Sequence, residues 1–324
     1  MKFTRRAFLQ TGALAAAGAG TGSTSAAESP APAPVPRVLR RTLGRTGAEV
    51  SILGLGLGSV FTEAHDQQPD GATRLLEDAL ARGVNYLDTA WNYTHSYELI
   101  APTVAKHRAQ IFLANKSDQR TYDGYMRQFE DALAKLRTDH IDLQHLHDLN
   151  PKKDTDLAVI ENGALKALRQ LRDQKVVRFI GITGHSGPDI LMEAIRRWDP
   201  DCVLTTFPCN RPDRGRYEDE LLPLARERKM GVIAMKTIRH ARQADLKGAD
   251  LIRYALSLDG VATAIVGLDT PGHLAENAAM AAAFQPLTPP QRAQISRRAA
   301  RALEGLLAPW DRPGYFDGRG VVVG

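Results

Sequence analysis

Four side chains able to move or steer a proton stand at or just after the ends of short apolar runs. VNYLD closes on Asp88 and is followed five residues later by the phenol of Tyr93; IFLANK closes on Lys116 and IDLQHLH on His147. A phenol, with a pKa of about 10, is a weak acid at neutral pH. A nearby cation stabilises the phenolate and eases release of the proton. Lys116 can supply that charge, and Asp88 can hold the ammonium in place while keeping a buried pair near neutral. His147 can hydrogen-bond an oxygen of a substrate and orient it. Each residue alone has a plainer reading: Asp88 as a loop cap, Tyr93 as an aromatic wall, Lys116 as a solvated charge, His147 as a hydrogen-bonded core histidine. Four complementary groups in fixed order along consecutive strands make the catalytic set the expectation.

For these groups to meet, the strands bearing them must converge. From residue 50 onward, apolar runs alternate with amphipathic ones: VSILGLGLG (50–58) precedes a helical pattern at Ala72–Ala81, and VNYLD (84–88) one from Ser96. IFLANK (111–116) precedes Tyr125–Leu136, IDLQHLH (141–147) precedes Ala164–Arg172, and VVRFIGIT (176–183) precedes Pro188–Arg197. CVLTTF (202–207) precedes Glu218–Arg228, GVIAMK (231–236) precedes Leu246–Leu258, and VATAIVG (261–267) precedes His273–Ala283. Eight strand–helix pairs without an internal linker predict one (β/α)8 TIM barrel, whose C-terminal strand ends build the pocket. Val38–Leu43 with the turn GRTG (44–47) predicts an N-terminal hairpin closing the other end. An extra helix, Pro290–Leu307, and an irregular tail complete the domain 38–324.

Composition is that of a globular domain, 43% hydrophobic and 24% charged. Of the 42 basic residues, Lys2, Arg5 and Arg6 lie in 1–27, which holds no acid; this leaves 39 against 37 acidic, or +2, without a basic run. Nucleic-acid binding is not expected. The N-terminus places twin arginines, Arg5–Arg6, before Phe8 and Leu9, a Gly/Ala-rich stretch and TSAAE. That order is expected of a twin-arginine signal peptide (1–27) cut near Ala26 or Ala27, with a Pro-rich leader at 28–37. Its apolar part is too short and Gly-rich for a membrane span. The expected location is therefore periplasmic or otherwise exported, with the twin-arginine export machinery as a partner. Cys202 and Cys209 read as core thiols, with pairing left open; two thiols cannot hold a four-cysteine zinc or iron–sulfur site.

The chain resembles the aldo-keto reductases. LGRTGAEVSILGLGLG is similar to the family's opening hairpin and first strand. GVNYLDTAWNY resembles the segment with its catalytic Asp and Tyr, LANKS that with its Lys, and DLQHLH that with its His; IVGLDTPGHLAEN resembles its nucleotide-binding strand–loop–helix. The resemblance, from about 41 to 284, implies an NAD(P)H-dependent oxidoreductase interconverting an aldehyde or ketone and an alcohol. Tyr93 would give the proton, Lys116 and Asp88 tune it, and His147 polarise the small-molecule carbonyl.

GLGLGS (54–59) is no dinucleotide fingerprint, since its glycines alternate and no helix is expected directly after it. Through the resemblance, Gly58 and Ser59 become cofactor candidates beside the nicotinamide. At the fifth strand end, where the family usually shows Ser-Asn, this chain has Thr183, Gly184 and His185, which keeps a hydroxyl and replaces the amide. Met235 stands where a stacking tyrosine is usual, and Lys236 beside it can reach a phosphate. Gly267, His273, Glu276 and Asn277 complete the set, the last three within one helical turn. NADP is mildly favoured over NAD on family grounds, although the usual Lys or Arg is replaced by Gly267, Leu268 and His273. Phe61, Trp91, Trp310 and Tyr315 are candidates for an apolar substrate wall. Two other readings stay in view. One is a cofactor-binding sensor or assembly subunit; the other is a metal-dependent barrel hydrolase using His145 and His147, which share a strand face, with His185.

Overall fold

The computed structural model describes residues 36–207, 216–238, 245–307, 310, 312, 315–317 and 320–321. The expected signal peptide, all but the end of the leader, and Cys209 lie outside them. Arg40–Thr42 (β1) and Glu49–Ser51 (β2) pair antiparallel about a 3-10 turn at Gly44–Thr46. Gly44 takes φ +51°, and a Cβ there would fall 2.3 Å from the backbone nitrogen of Gly231. Only glycine lets this turn press against the start of a barrel strand. Leu43 and Val50 cap the barrel's interior cluster, so the hairpin closes that end as expected.

The apolar runs form a closed barrel of eight parallel strands: Leu53–Gly56 (β3), Tyr86–Asp88 (β4), Phe112–Ser117 (β5), Ile141–Leu146 (β6), Val177–Gly184 (β7), Cys202–Thr206 (β8), Gly231–Met235 (β9) and Val261–Val266 (β10). Each strand pairs with its chain neighbour, and β10 closes on β3. The strands read as continuous apolar runs because both faces are covered. Inside, Tyr86, Phe112, Ala114, Leu143, Cys202, Leu204 and Ile233 pack together. Strand alternation then sets the chemistry, because residues two apart share a face. Asp88 stands above Tyr86, Lys116 above Ala114, and His145 and His147 above Leu143.

Around the barrel run Ser59–His65 (α1), Pro69–Ala81 (α2), Ser96–His107 (α3), Tyr122–Leu136 (α4), Leu157–Asn162 (α5), Ala164–Asp173 (α6), Pro188–Trp198 (α7), Leu222–Glu227 (α8), Gly248–Leu256 (α9), Pro271–Ala282 (α10) and Pro289–Ala302 (α11). Three differences from expectation have physical reasons. First, α1 begins directly after Gly58, where no helix was expected. It buries Phe61 in the core, stacked on His65, which removes Phe61 from the candidate substrate wall. Second, the helix expected at 218–228 starts as a π-helical turn, Arg216–Leu221; Pro223 has no N–H to donate to the preceding turn. Third, α11 stops at Ala302 rather than Leu307, ahead of Gly305 at φ +73°. The tail adds a small antiparallel pair, Tyr315–Phe316 (β11) and Gly320–Val321 (β12).

Candidate active site

Asp88 and Lys116 meet at the barrel mouth with side chains 1% exposed each; Lys116 Nζ donates to Asp88 Oδ1 at 2.5 Å and to the carbonyl of Thr89 at 2.7 Å. Burial holds the Asp88 carboxyl above its usual range, in spite of the lowering effect of Lys116. The same ammonium lies 4.7 Å from the ring centroid of Tyr93. The loop that carries Tyr93 is tied to the next strand, Thr89 N donating to the carbonyl of Ala114 and Trp91 N to that of Lys116. Gly58 backs the phenol ring: a Cβ there would lie 3.2 Å from Tyr93 Cε2.

His147 presents its ring edge-on to Tyr93, centroids 6.0 Å apart. Its backbone is clamped from outside by Arg120, which donates to the carbonyls of His147 and Asp148 and pairs with Asp154. Asp148 then turns through φ +50° and donates its N–H to the hydroxyl of Thr183. Behind the strands, Tyr97, Asn115, Gln144 and Tyr125 form a buried hydrogen-bonded chain ending on the carbonyl of His145. Satisfied polar chains of this kind stiffen the strands that carry the site.

The tail returns to this mouth. Asp317 places Oδ2 2.9 Å from His147 Nε2 and Oδ1 2.5 Å from Lys236 Nζ, while its carbonyl accepts from Asn92 Nδ2. The Tyr315 hydroxyl bonds Asp317, and Lys236 donates to that hydroxyl. Burial alone would raise the Asp317 carboxyl, but Lys236, then His147 and His185, outweigh it and hold it well below the usual range. His185 lies 3.2 Å from Asp148 and 3.9 Å from Asp317, with the Trp310 and Tyr315 rings against it.

A cleft of about 600 Å³ opens from Asp88, Tyr93 and Asp317 toward α10. Of the residues expected to hold a cofactor, Gly58, Ser59, Met235, Lys236, Gly267, His273, Glu276 and Asn277 line it, whereas Thr183 and His185 stand outside its wall. Thr183 spends its hydroxyl on Asp148, and Lys236 spends its ammonium on the tail. Two charged residues of the described wall were not singled out from sequence, Asp269, which pairs with His273, and Asp317. The D-T-P turn before α10 was a usable signal for the first; nothing local signalled the second. Trp91 is 39% exposed and donates to Asp131, away from the cleft wall.

His145 lies at the barrel centre beside Gly181; burial, then Lys116 and His147, push its imidazole well below the usual range, so it stays neutral. Among the described residues, no three His, Cys, Asp or Glu side chains are grouped to hold a metal ion. The hydrolase arrangement of His145, His147 and His185 therefore has no geometric support here. Cys202 is buried in the barrel, where burial pushes its thiol well up and makes it inert.

The family model described as "Aldo/keto reductase family" matches residues 52–250. An uncharacterised oxidoreductase of Bacillus subtilis, YqkF, is 28% identical over 209 residues, covering 60% of this chain and 63% of that protein, less than two thirds of its length. L-galactose dehydrogenase of Arabidopsis thaliana is 25% identical over 284 residues, 74% of this chain and 86% of that one. Among solved structures, a Pseudomonas aeruginosa protein assigned to the aldo-keto reductases superposes with TM-score 0.65 at 27% identity, over 76% of this chain and 95% of that chain. The holo form of an aldo-keto reductase from Bacillus halodurans, 22% identical with TM-score 0.69 over 81% and 97%, shows the shared fold.

Proposed function

Because the chain belongs to the aldo/keto reductase family, we propose that it interconverts an aldehyde or ketone and the corresponding alcohol, with Tyr93 as the proton donor. The observation that carries this reading is the Lys116 ammonium, fixed by Asp88 and set 4.7 Å from the Tyr93 ring at the head of the cleft. A family nicotinamide dinucleotide fits that cleft by its walls. Gly56 and Gly58 line its head, and Gly267 bears on the floor, where a Cβ would crowd Val60 at 3.0 Å. Gly58, Ser59 and Met235 would hold the nicotinamide end; Gly267, His273, Glu276 and Asn277 would hold the adenosine end. When bound, the cofactor supplies the hydride to the carbonyl carbon or accepts it from the alcohol.

The chain's own groups do the rest. As negative charge grows on the carbonyl oxygen, the phenol passes its proton to that oxygen. Lys116 then stabilises the charge left on Tyr93, and Asp88 keeps Lys116 from moving. His147 stands beside Tyr93 to orient the same oxygen.

The described wall supports NAD(H) rather than the 2′-phosphorylated cofactor that the resemblance favoured. Asp269 and Glu276 are both acidic, and His273 is committed to Asp269. A phosphate there would meet two carboxylates. The export reading is part of this proposal: the cofactor is loaded before export and retained by the mature protein, which makes the twin-arginine machinery a partner. Among the described residues no helix is long and apolar enough to cross a membrane. Oxidation of reduced cofactor by a panel of aldehydes and ketones, with the alcohol identified as product, tests the activity. Tight cofactor binding with no carbonyl reduced would instead favour a sensor or assembly subunit. Mass spectrometry of denatured periplasmic protein tests retention, and finding no nucleotide would count against it.

A further inference from the structure

We propose that His145 is a positioning residue for His147. Through one internal water it supplies a hydrogen-bond donor to His147 Nδ1, and so keeps the ring proton on Nε2, the nitrogen that would face a carbonyl oxygen. This inference rests on the reductase reading above and adds a residue to it. His147 reaches the barrel mouth through Nε2, which stands 2.9 Å from an oxygen of the Asp317 carboxylate. An ionised carboxylate only accepts, so Nε2 is the protonated nitrogen in that contact. In a neutral imidazole the other nitrogen is then a bare lone pair. That atom, His147 Nδ1, is buried and has no protein partner among the described residues. An unpaired buried nitrogen is unfavourable, so what Nδ1 meets decides which tautomer the ring takes.

His145 is placed to provide that donor. It stands two residues before His147 on the face of β6 that His147 continues, fully buried inside the barrel. Both of its ring nitrogens also lack a protein partner among the described residues. A neutral imidazole nevertheless has one N–H to give and one lone pair to fill. Residues two apart stand about 6.6 Å from each other along a strand. One water making two hydrogen bonds of about 2.8 Å spans about 5.6 Å, so the two rings are spaced for a water rather than for each other. Buried waters are found where several polar groups are otherwise unsatisfied. With the His145 N–H donating to the water oxygen, the water turns a proton to His147 Nδ1. The ring is also held for this task. Tyr125 Oη donates to the carbonyl of His145 at 2.8 Å, and a Cβ on its strand neighbour Gly181 would fall 2.2 Å from its Nδ1. Glycine at 181 is what leaves the imidazole its place. Burial, then Lys116 and His147, keep that imidazole neutral, able both to give and to accept.

The test uses the full-length chain, labelled with heavy nitrogen at histidine. His145→Leu removes both nitrogens, and His145→Gln keeps a donor and an acceptor. Ring-nitrogen NMR at mildly alkaline pH should show His147 in the Nε2–H form in wild type and in His145→Gln. In His145→Leu it should be divided between the two forms. Single-turnover hydride transfer, with the aldehyde that wild type reduces fastest, should slow about tenfold in His145→Leu. His145→Gln should stay within about threefold of wild type, and cofactor Kd should be unchanged in both. The Tm of His145→Leu should be no lower than that of wild type, since exchanging unpaired buried polar atoms for an apolar group of similar size is close to neutral. A wild-type His147 in the Nδ1–H form, or a tautomer unchanged in folded His145→Leu, overturns this inference and leaves carbonyl reduction standing. His145→Gln as slow as His145→Leu would make the ring a packing element, and also overturns it. Should His145→Leu fail to fold, the wild-type tautomer and the rate of His145→Gln still decide. Failure of wild type with every carbonyl sinks the reductase reading and the positioning role with it, whichever tautomer the spectrum shows.

Discussion

Removing Lys116 should separate stability from chemistry. Lys116 and Asp88 are a buried pair, so breaking it from either side leaves a charge without its partner. Such single changes cost about 3–5 kcal/mol, whereas replacing both charges with neutral groups is often close to neutral. Lys116→Met and Asp88→Asn should each lower Tm by on the order of 10 °C, and the double variant should regain most of that loss. Activity should behave differently. Taking the 4.7 Å from Nζ to the Tyr93 ring as the working distance, Coulomb's law at an effective dielectric of about 20 gives about 3.5 kcal/mol for an ammonium facing a full negative charge. That corresponds to a few hundredfold in rate. Thermal melts and single-turnover hydride transfer on wild type, both single variants and the double variant make a complete cycle. The reasoning is refuted if the double variant recovers activity along with stability, or if Lys116→Met slows hydride transfer less than about threefold.

Gly58→Ala should slow turnover about tenfold, because its Cβ would stand 3.2 Å from the Tyr93 ring and displace the phenol; a kcat within experimental error of wild type would contradict that contact. The cofactor preference is read from kcat/KM with NADH and NADPH: NADH should be used at least about tenfold better, and Glu276→Gln should narrow the ratio. Acid dependence follows from Asp317, whose folded carboxyl lies well below its ordinary 3.8. A depressed carboxyl stabilises fully above its unfolded pKa and loses that contribution as pH falls through the folded value. The Tm gap between wild type and Asp317→Asn should therefore hold from about pH 5 to about 4 and shrink below that. A gap that is already closing at pH 5 would show that Asp317 is not held by Lys236 and His147.

Most of the barrel was legible because a doubly covered parallel strand has to be an apolar run, and the runs carry their own register. The meeting of the candidate site residues was legible for the same reason: Asp88, Lys116 and His147 close such runs and share the face of Tyr86, Ala114 and Leu143. α1 escaped notice because Ser59–His65 is short and follows glycines that read as strand, so Phe61 was assigned to a wall it does not line. Thr183 was assigned to the cofactor because strand position alone does not show that its hydroxyl accepts from the turn after His147. Asp317 was out of reach altogether. It lies 170 residues from His147 along the chain, and only the closed fold brings the two together.

Rapid mixing of the cofactor-loaded enzyme with a reducible carbonyl, wild type against Tyr93→Phe, tests the proton-donor assignment most directly. Loss of one phenol oxygen should slow hydride transfer by about 10²–10⁴-fold, the usual contribution of a positioned general acid, with the protein still folded and still binding cofactor. Transfer in Tyr93→Phe at a rate close to wild type would contradict it.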